Sequence, residues 1–253
     1  MIEILKRVLR ASRLGGPARV LYRRLWPLTD AERNALYDAE TAAVIARVLP
    51  AKTGHAVDVG AHAGTILRLI VAHAPHGPHW AFEPLPAQAA QLSVDFPTVR
   101  VHAVALAATT GQVTFQHVVT DPSYSGIRRR TYPGPQQVEA LTVPTARLDD
   151  LLPPEMPIAF IKIDVEGGEL GVGAARTLTR WRPIVVFEHG RGAADHYGTR
   201  PEQVYDVLSA CGLRVTLMAS WLRGEGDLTR ETFVAQFETG QNFYFMAYRD
   251  RRE

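Results

Sequence analysis

One stretch limits this chain more than any other: His55-Ala56-Val57-Asp58-Val59-Gly60-Ala61-His62-Ala63-Gly64-Thr65. Val57 and Val59 favour an extended backbone and small residues follow at once. The segment therefore reads as a short buried strand that turns through Gly60 and Gly64 into a helix over 66–74. Strand, glycine turn and helix start together make a ligand seat, because glycine lets a backbone approach a ligand and the unpaired N–H groups of a helix start favour an anionic group. Further along, Trp80-Ala81-Phe82-Glu83-Pro84 reads as a second apolar strand ending at Glu83, where a carboxylate can accept both hydroxyls of a ribose.

What the turn lacks narrows the cofactor. A dinucleotide fingerprint needs glycine at alternate positions so that a pyrophosphate rests on bare backbone, and the second of those positions is His62. No Gly-Lys-Ser/Thr phosphate loop occurs. Asp58 ahead of Gly-x-x-x-Gly, with an acidic residue closing the next strand, resembles the S-adenosylmethionine site of class I methyltransferases. The resemblance implies a turn of Asp58, Gly60, Ala61, His62 and Gly64 facing the methionine moiety, with Glu83 and Pro84 at the ribose. Taken alone, the first motif also reads as an ordinary glycine-containing βα turn.

With 253 residues, 46% of them hydrophobic and 21% charged, the chain can bury the core of one large α/β domain. No apolar run approaches the roughly 18 residues that span a bilayer. Met1 to Arg10 is interrupted by charge too often for a secretory signal, so the expected location is cytoplasmic. The single cysteine, Cys211, excludes an internal disulfide and a cysteine-based zinc cluster, and reads as a small buried hydrophobe. A net charge of +2 is not that of a nucleic-acid binder. The charge is uneven, since Lys6, Arg7, Arg10, Arg13, Arg19, Arg23 and Arg24 face only Glu3 in the first 26 residues. Residues 1–28 are read as a basic arm or helix that folds over its own domain or meets an anionic membrane surface or a partner. Residues 29–253 form the main domain, with a homo-oligomer among its candidate assemblies.

Thr29-Asp30-Ala31-Glu32 is a capping box, and it opens a helix that carries Leu36, Ala39, Ala43, Val44 and Val48 and ends before Pro50. Strands and helices then alternate, with a helix at 86–95 and a third strand at 99–104, which implies a parallel sheet that binds ligands at its carboxyl edge. The alternation breaks at strands 112–119 and 138–143, which enclose the polar loop from Asp121 to Pro135. That loop is read as a substrate-side flap with Tyr124 and Ser125 as contacts and Arg128 to Arg130 for an anionic group; a solvated loop is the alternative. A fourth strand, 158–163, runs into Asp164-Val165-Glu166-Gly167-Gly168-Glu169, whose carboxylates need a metal, a substrate hydroxyl or Lys162 between them. A fifth strand, 183–187, ends in Glu188-His189-Gly190. A helix at 201–210 and strands near 213–218 and 242–248 follow, and the stretch with Trp221, Arg223 and Glu225 carries no readable chemistry.

Ile161-Lys162-Ile163-Asp164-Val165-Glu166-Gly167-Gly168-Glu169, with Val57 to Ala61, Ala81 to Pro84 and Arg147-Leu148-Asp149-Asp150-Leu151, resembles the FkbM family of S-adenosylmethionine-dependent methyltransferases over roughly residues 40 to 190. The resemblance implies a class I, Rossmann-like α/β fold: a mostly parallel seven-stranded sheet with helices on both faces and a terminal antiparallel strand. It implies O-methylation of a small-molecule or glycan hydroxyl, typically on a sugar or a polyketide-type natural product. The chain departs from the family at His62, where Asn is common, and at Gly171 and Gly173, which dilute a helix. Related metal-dependent enzymes imply Mg²⁺ between Asp164 and Glu188, and a metal-free site is the alternative. His189 and Asp164 are the candidate bases, and Glu188 and Arg191 join Tyr124 and Ser125 as substrate contacts. The competing readings are a nicotinamide-dependent oxidoreductase on the same type of sheet and a non-catalytic cofactor-binding protein.

Overall fold

The computed structural model describes residues 28–50, 54–129, 132, 134–165, 172–192 and 194–249. The basic arm, Leu28 apart, lies outside the described residues, as do Arg130, Gly171 and the run from Glu166 to Glu169. Two compact units are present, Met1–Ala39 and Glu40–Glu253. In the first, the Thr29 N–H donates to Glu32 Oε2 at 3.0 Å and the Glu32 N–H to Thr29 Oγ1 at 3.3 Å. This is the expected reciprocal cap, and it opens α1 (Asp30–Val48), whose residues from Glu40 onward belong to the second unit. The remaining elements belong to the second unit.

That unit is built on β1 (His55–Val59), β2 (His79–Phe82), β3 (Val99–His102), β7 (Ile158–Ile163), β8 (Ile184–Glu188), β9 (Leu213–Thr216) and β10 (Tyr244–Arg249). They form one sheet in the order β3-β2-β1-β7-β8-β10-β9. β1, β2, β3, β7 and β8 pair in parallel, and β10 runs antiparallel between β8 and β9. Every residue of β2 and β7 is buried. Successive side chains of a strand point to opposite faces, so both faces of the sheet are covered. The crossovers are α2 (Thr65–His73), α3 (Pro86–Asp95), α5 (Ala175–Trp181) and α7 (Pro201–Ala210). This is the class I methyltransferase architecture expected from the sequence.

Three features depart from that expectation. The two strands that break the alternation leave the main sheet: β5 (Gly111–Val118) and β6 (Val138–Ala146) form an antiparallel hairpin, with β4 (Ala105–Leu106) beside β6 in a second sheet. The short helix α4 (Leu148–Leu151) returns the chain to β7. Gly173 lies ahead of α5 with φ 66, and a Cβ there would stand 2.7 Å from Arg147 Cβ. It marks a close crossing and does not weaken the helix. The stretch around Trp221 forms α8 (Met218–Arg223) and, beyond it, α9 (Arg230–Glu238). Trp221 is buried under the Arg47 guanidinium, 4.9 Å from its ring, and Phe233 is fully enclosed, so this stretch is core. Among the described residues no helix is long and apolar enough to cross a membrane.

Candidate active site

β1 delivers Asp58 and then turns at Gly60, whose φ is 77. A Cβ there would lie 2.0 Å from the Asp164 carbonyl oxygen, and one at Gly64 (φ 73) would lie 2.6 Å from the Phe96 ring. Both glycines are needed because the chain itself fills the space beside them. The N–H groups of Gly60 and Ala61 donate to the Phe82 carbonyl at 3.0 and 3.2 Å and tie the turn to the end of β2. His62 takes φ 46, a left-handed conformation uncommon outside glycine. Its N–H is held by Glu83 Oε2 at 2.8 Å, while Glu83 Oε1 accepts the Leu85 N–H at 3.0 Å. Glu83 is only 4% exposed. Burial pushes its carboxyl up, and the Leu85 and His62 N–H groups oppose that shift. A carboxylate offers about four acceptor positions, so two remain for a ligand.

Asp58 is completely buried, and its neighbour across the parallel β1–β7 pair is Lys162. Among the described residues no hydrogen bond within the usual distance and angle limits reaches either carboxylate oxygen, although the Leu67 N–H of α2 favours the charged form, and Lys162 Nζ stands 3.9 Å from Oδ1. Burial raises the Asp58 carboxyl to about 6, with Asp164 adding repulsion and Lys162 attraction. The same Nζ lies 3.0 Å from Asp164 Oδ2 and donates to the Gly60 carbonyl at 3.3 Å. Burial would lower the Lys162 ammonium, but attraction to Asp164 and Asp58 outweighs it and holds the proton more firmly than in water. Burial would raise the Asp164 carboxyl, yet the Lys162 ammonium and the Tyr244 hydroxyl hold it well below the usual carboxylate range. The Tyr244 hydroxyl donates to Asp164 Oδ2 at 2.6 Å, and its strand register sets Tyr244 directly beside Glu188. A single ammonium thus sits among carboxylates from three strand ends.

The family model of the methyltransferase FkbM domain matches residues 58–215, from the buried aspartate at the glycine turn through β9. The chain belongs to this family. Similar solved structures include the methyltransferase FkbM from Methylobacillus flagellatus KT, at 16% identity and TM-score 0.45 over 77% of this chain and 43% of that one. Others are StiE O-MT, at 12% identity and TM-score 0.44 over 98% and 82% of the two chains, and geranyl diphosphate methyltransferase in complex with SAM, at 14% and 0.40 over 87% and 88%. The chain therefore spans less than half the length of the Methylobacillus protein. No curated protein matches the sequence significantly.

In this FkbM domain the other expected site residues scatter. His189 is 0% exposed, its ring stacked on Phe237 at 4.9 Å and near Phe233 at 6.1 Å. The carboxyl edge turns inward after Glu188, and the expected base is part of the aromatic core. Arg191 reaches away from the carboxylates and donates to the Glu238 carbonyl at 2.9 Å, at the last turn of α9. Ser125 Oγ accepts the Val118 N–H at 3.0 Å and closes the hairpin end, and the Tyr124 ring stands edge-on to Tyr132. The flap is pinned by Tyr197, which ends the short helix α6 (Ala194–Tyr197) after β8: its hydroxyl accepts the N–H groups of Ile127 and Arg128 at 3.1 and 3.4 Å. A divalent metal does not fit between Asp164 and Glu188. Asp164 already holds an ammonium at 3.0 Å and a phenol at 2.6 Å, and among the described residues no three His, Cys, Asp or Glu gather for a metal. Tyr244 escaped sequence reasoning altogether. Only the antiparallel pairing of β10 with β8 brings it to a residue 80 positions away.

Proposed function

We propose that this chain binds S-adenosylmethionine and moves its methyl group to a hydroxyl oxygen of a small molecule or glycan, such as a sugar or a polyketide-type product. The observation that carries this reading is Asp58, a wholly buried carboxylate short of hydrogen-bond donors, set at a glycine turn whose N–H at position 62 is held by Glu83. Burying a carboxylate with so little beyond the Lys162 ammonium at 3.9 Å and the Leu67 N–H is costly, and the amino group of an amino-acid moiety is a matching further partner. Glu83 keeps two acceptor positions for the ribose hydroxyls. The nicotinamide reading is weaker, since the side chain of His62 stands where a pyrophosphate needs bare backbone.

When bound, the cofactor supplies an electrophilic methyl group on a sulfonium, whose leaving group is a neutral thioether. The chain supplies position: an acceptor held in line gains up to roughly 7–11 kcal/mol from orientation. Asp164 is the group we assign to the acceptor proton, because its side chain keeps 23% of its surface exposed at the carboxyl edge. The proton that the acceptor hydroxyl gives up on methylation would pass to an Asp164 oxygen. Lys162 and Tyr244 keep that carboxylate ionised, which makes it a weak base. A weak base is enough for an oxygen that becomes strongly acidic as the methyl arrives.

Isothermal titration with S-adenosylhomocysteine and with NAD tests the reading. Heat from the first alone is expected, and binding of NAD alone would replace our assignment. Transfer of a labelled methyl group to a panel of hydroxylated acceptors then separates an enzyme from a binder.

A further inference from the structure

The cluster around Lys162 does more than neutralise charge. We infer that the Lys162 ammonium occupies the place of a divalent cation against Asp164 and Glu188, so that this site works without a metal. The inference rests on the reading of Asp164 and Glu188 as acceptor-side carboxylates, and it assigns Lys162 a positioning role.

The geometry is that of an ammonium site. Nζ stands 3.0 Å from Asp164 Oδ2 and 3.3 Å from the Gly60 carbonyl, the spacing of charge-assisted hydrogen bonds. Mg²⁺ requires six oxygens at about 2.0–2.1 Å in a near-ideal octahedron. A metal on Asp164 would stand beside a fixed positive charge, and the Tyr244 hydroxyl already holds Oδ2 at 2.6 Å. Lys162 cannot swing away easily, because it is buried on the central strand β7 and faces Asp58 across the β1–β7 pair. One side chain therefore joins three places: the buried Asp58, the carbonyl of the cofactor turn and the acceptor-side carboxylate. A bound metal would serve only the last of these.

The test uses Mn²⁺, whose EPR signal falls on binding, with the full-length protein. Wild type is expected to show no Asp164-dependent uptake below about 1 mM Mn²⁺, far above the range of a dedicated site. Lys162→Met exchanges the ammonium for a neutral chain of similar length. It is expected to gain uptake, which Lys162→Met/Asp164→Asn loses, while Lys162→Arg behaves as wild type. Wild-type uptake abolished by Asp164→Asn overturns the inference, and so does a folded Lys162→Met protein that takes up no Mn²⁺. Uptake that survives Asp164→Asn belongs to another surface and leaves the inference standing. If Lys162→Met fails to fold, the comparison of wild type with Asp164→Asn decides alone. Calorimetry with S-adenosylhomocysteine is run beside it in EDTA and in Mg²⁺, with equal affinities expected. No heat in either buffer would sink the cofactor reading while the Mn²⁺ result kept its meaning.

Discussion

Asp58 and Glu83 are acidic groups that the fold encloses almost completely, and each makes a distinct prediction. Burial lifts the Asp58 carboxyl from 3.8 to about 6, so the folded chain binds a proton there more tightly than the unfolded chain does. The stabilisation from this group is full below its unfolded value and is lost as pH rises through about 6. A rise from 3.8 to about 6 corresponds to about 3 kcal/mol. Asp58→Asn should therefore be more stable than wild type at pH 8 by up to about 3 kcal/mol and equal to it near pH 4, as read from urea midpoints, while losing affinity for S-adenosylhomocysteine. For Glu83→Ala the expected stability change is opposite in sign. Two N–H groups, of His62 and Leu85, lose their acceptor, which costs about 1–3 kcal/mol. Calorimetry should also show at least a roughly tenfold loss of S-adenosylhomocysteine affinity, equivalent to about 1.4 kcal/mol. Affinity that stays unchanged would remove Glu83 from the ribose.

At the scale of elements, the glycine turn and the hairpin are the parts most open to test. Gly60→Ala combines a positive φ with a Cβ 2.0 Å from a backbone oxygen that cannot rotate away. It should destabilise by more than about 3 kcal/mol or leave no soluble protein, which thermal melting will show. Tyr197→Phe deletes the hydroxyl that receives two N–H groups of the flap. Its melting temperature should hardly move, yet trypsin should cut faster at the exposed Arg128 and Arg129. These elements also show what was legible in the sequence. β1, β2, β7 and β8 were readable because uniformly buried strands form short apolar runs, and Asp58, Glu83, Asp164 and Glu188 because they sit at or next to the ends of those runs. The separate sheet was not, since β5 is largely half-exposed and its burial pattern says nothing of which sheet it joins. α8 and α9 were hidden by short length and by aromatic residues spaced for no single obvious face. His189 misled because its place in the sequence, one step past a strand end, does not reveal a chain that turns back into a cluster of phenylalanines. Lys162 was visible only as one of three ways to balance the acidic cluster, and its distances single it out.

For the whole molecule, ligand binding and stability are linked. A ligand that binds only the folded form at 100 times its dissociation constant adds about 2.7 kcal/mol. For a chain of this size that is a rise of roughly 5–11 °C in melting temperature, expected with S-adenosylhomocysteine and absent with NAD. Strand order carries a last consequence. β10 lies between β8 and β9 although it follows both in the chain, and it brings the phenol that Asp164 holds. A nascent or partly folded polypeptide that has already stacked β7 against β8 would still present that carboxylate without its tyrosine. The hydrogen-bonding of this carboxylate is therefore complete only once the last strand has been inserted.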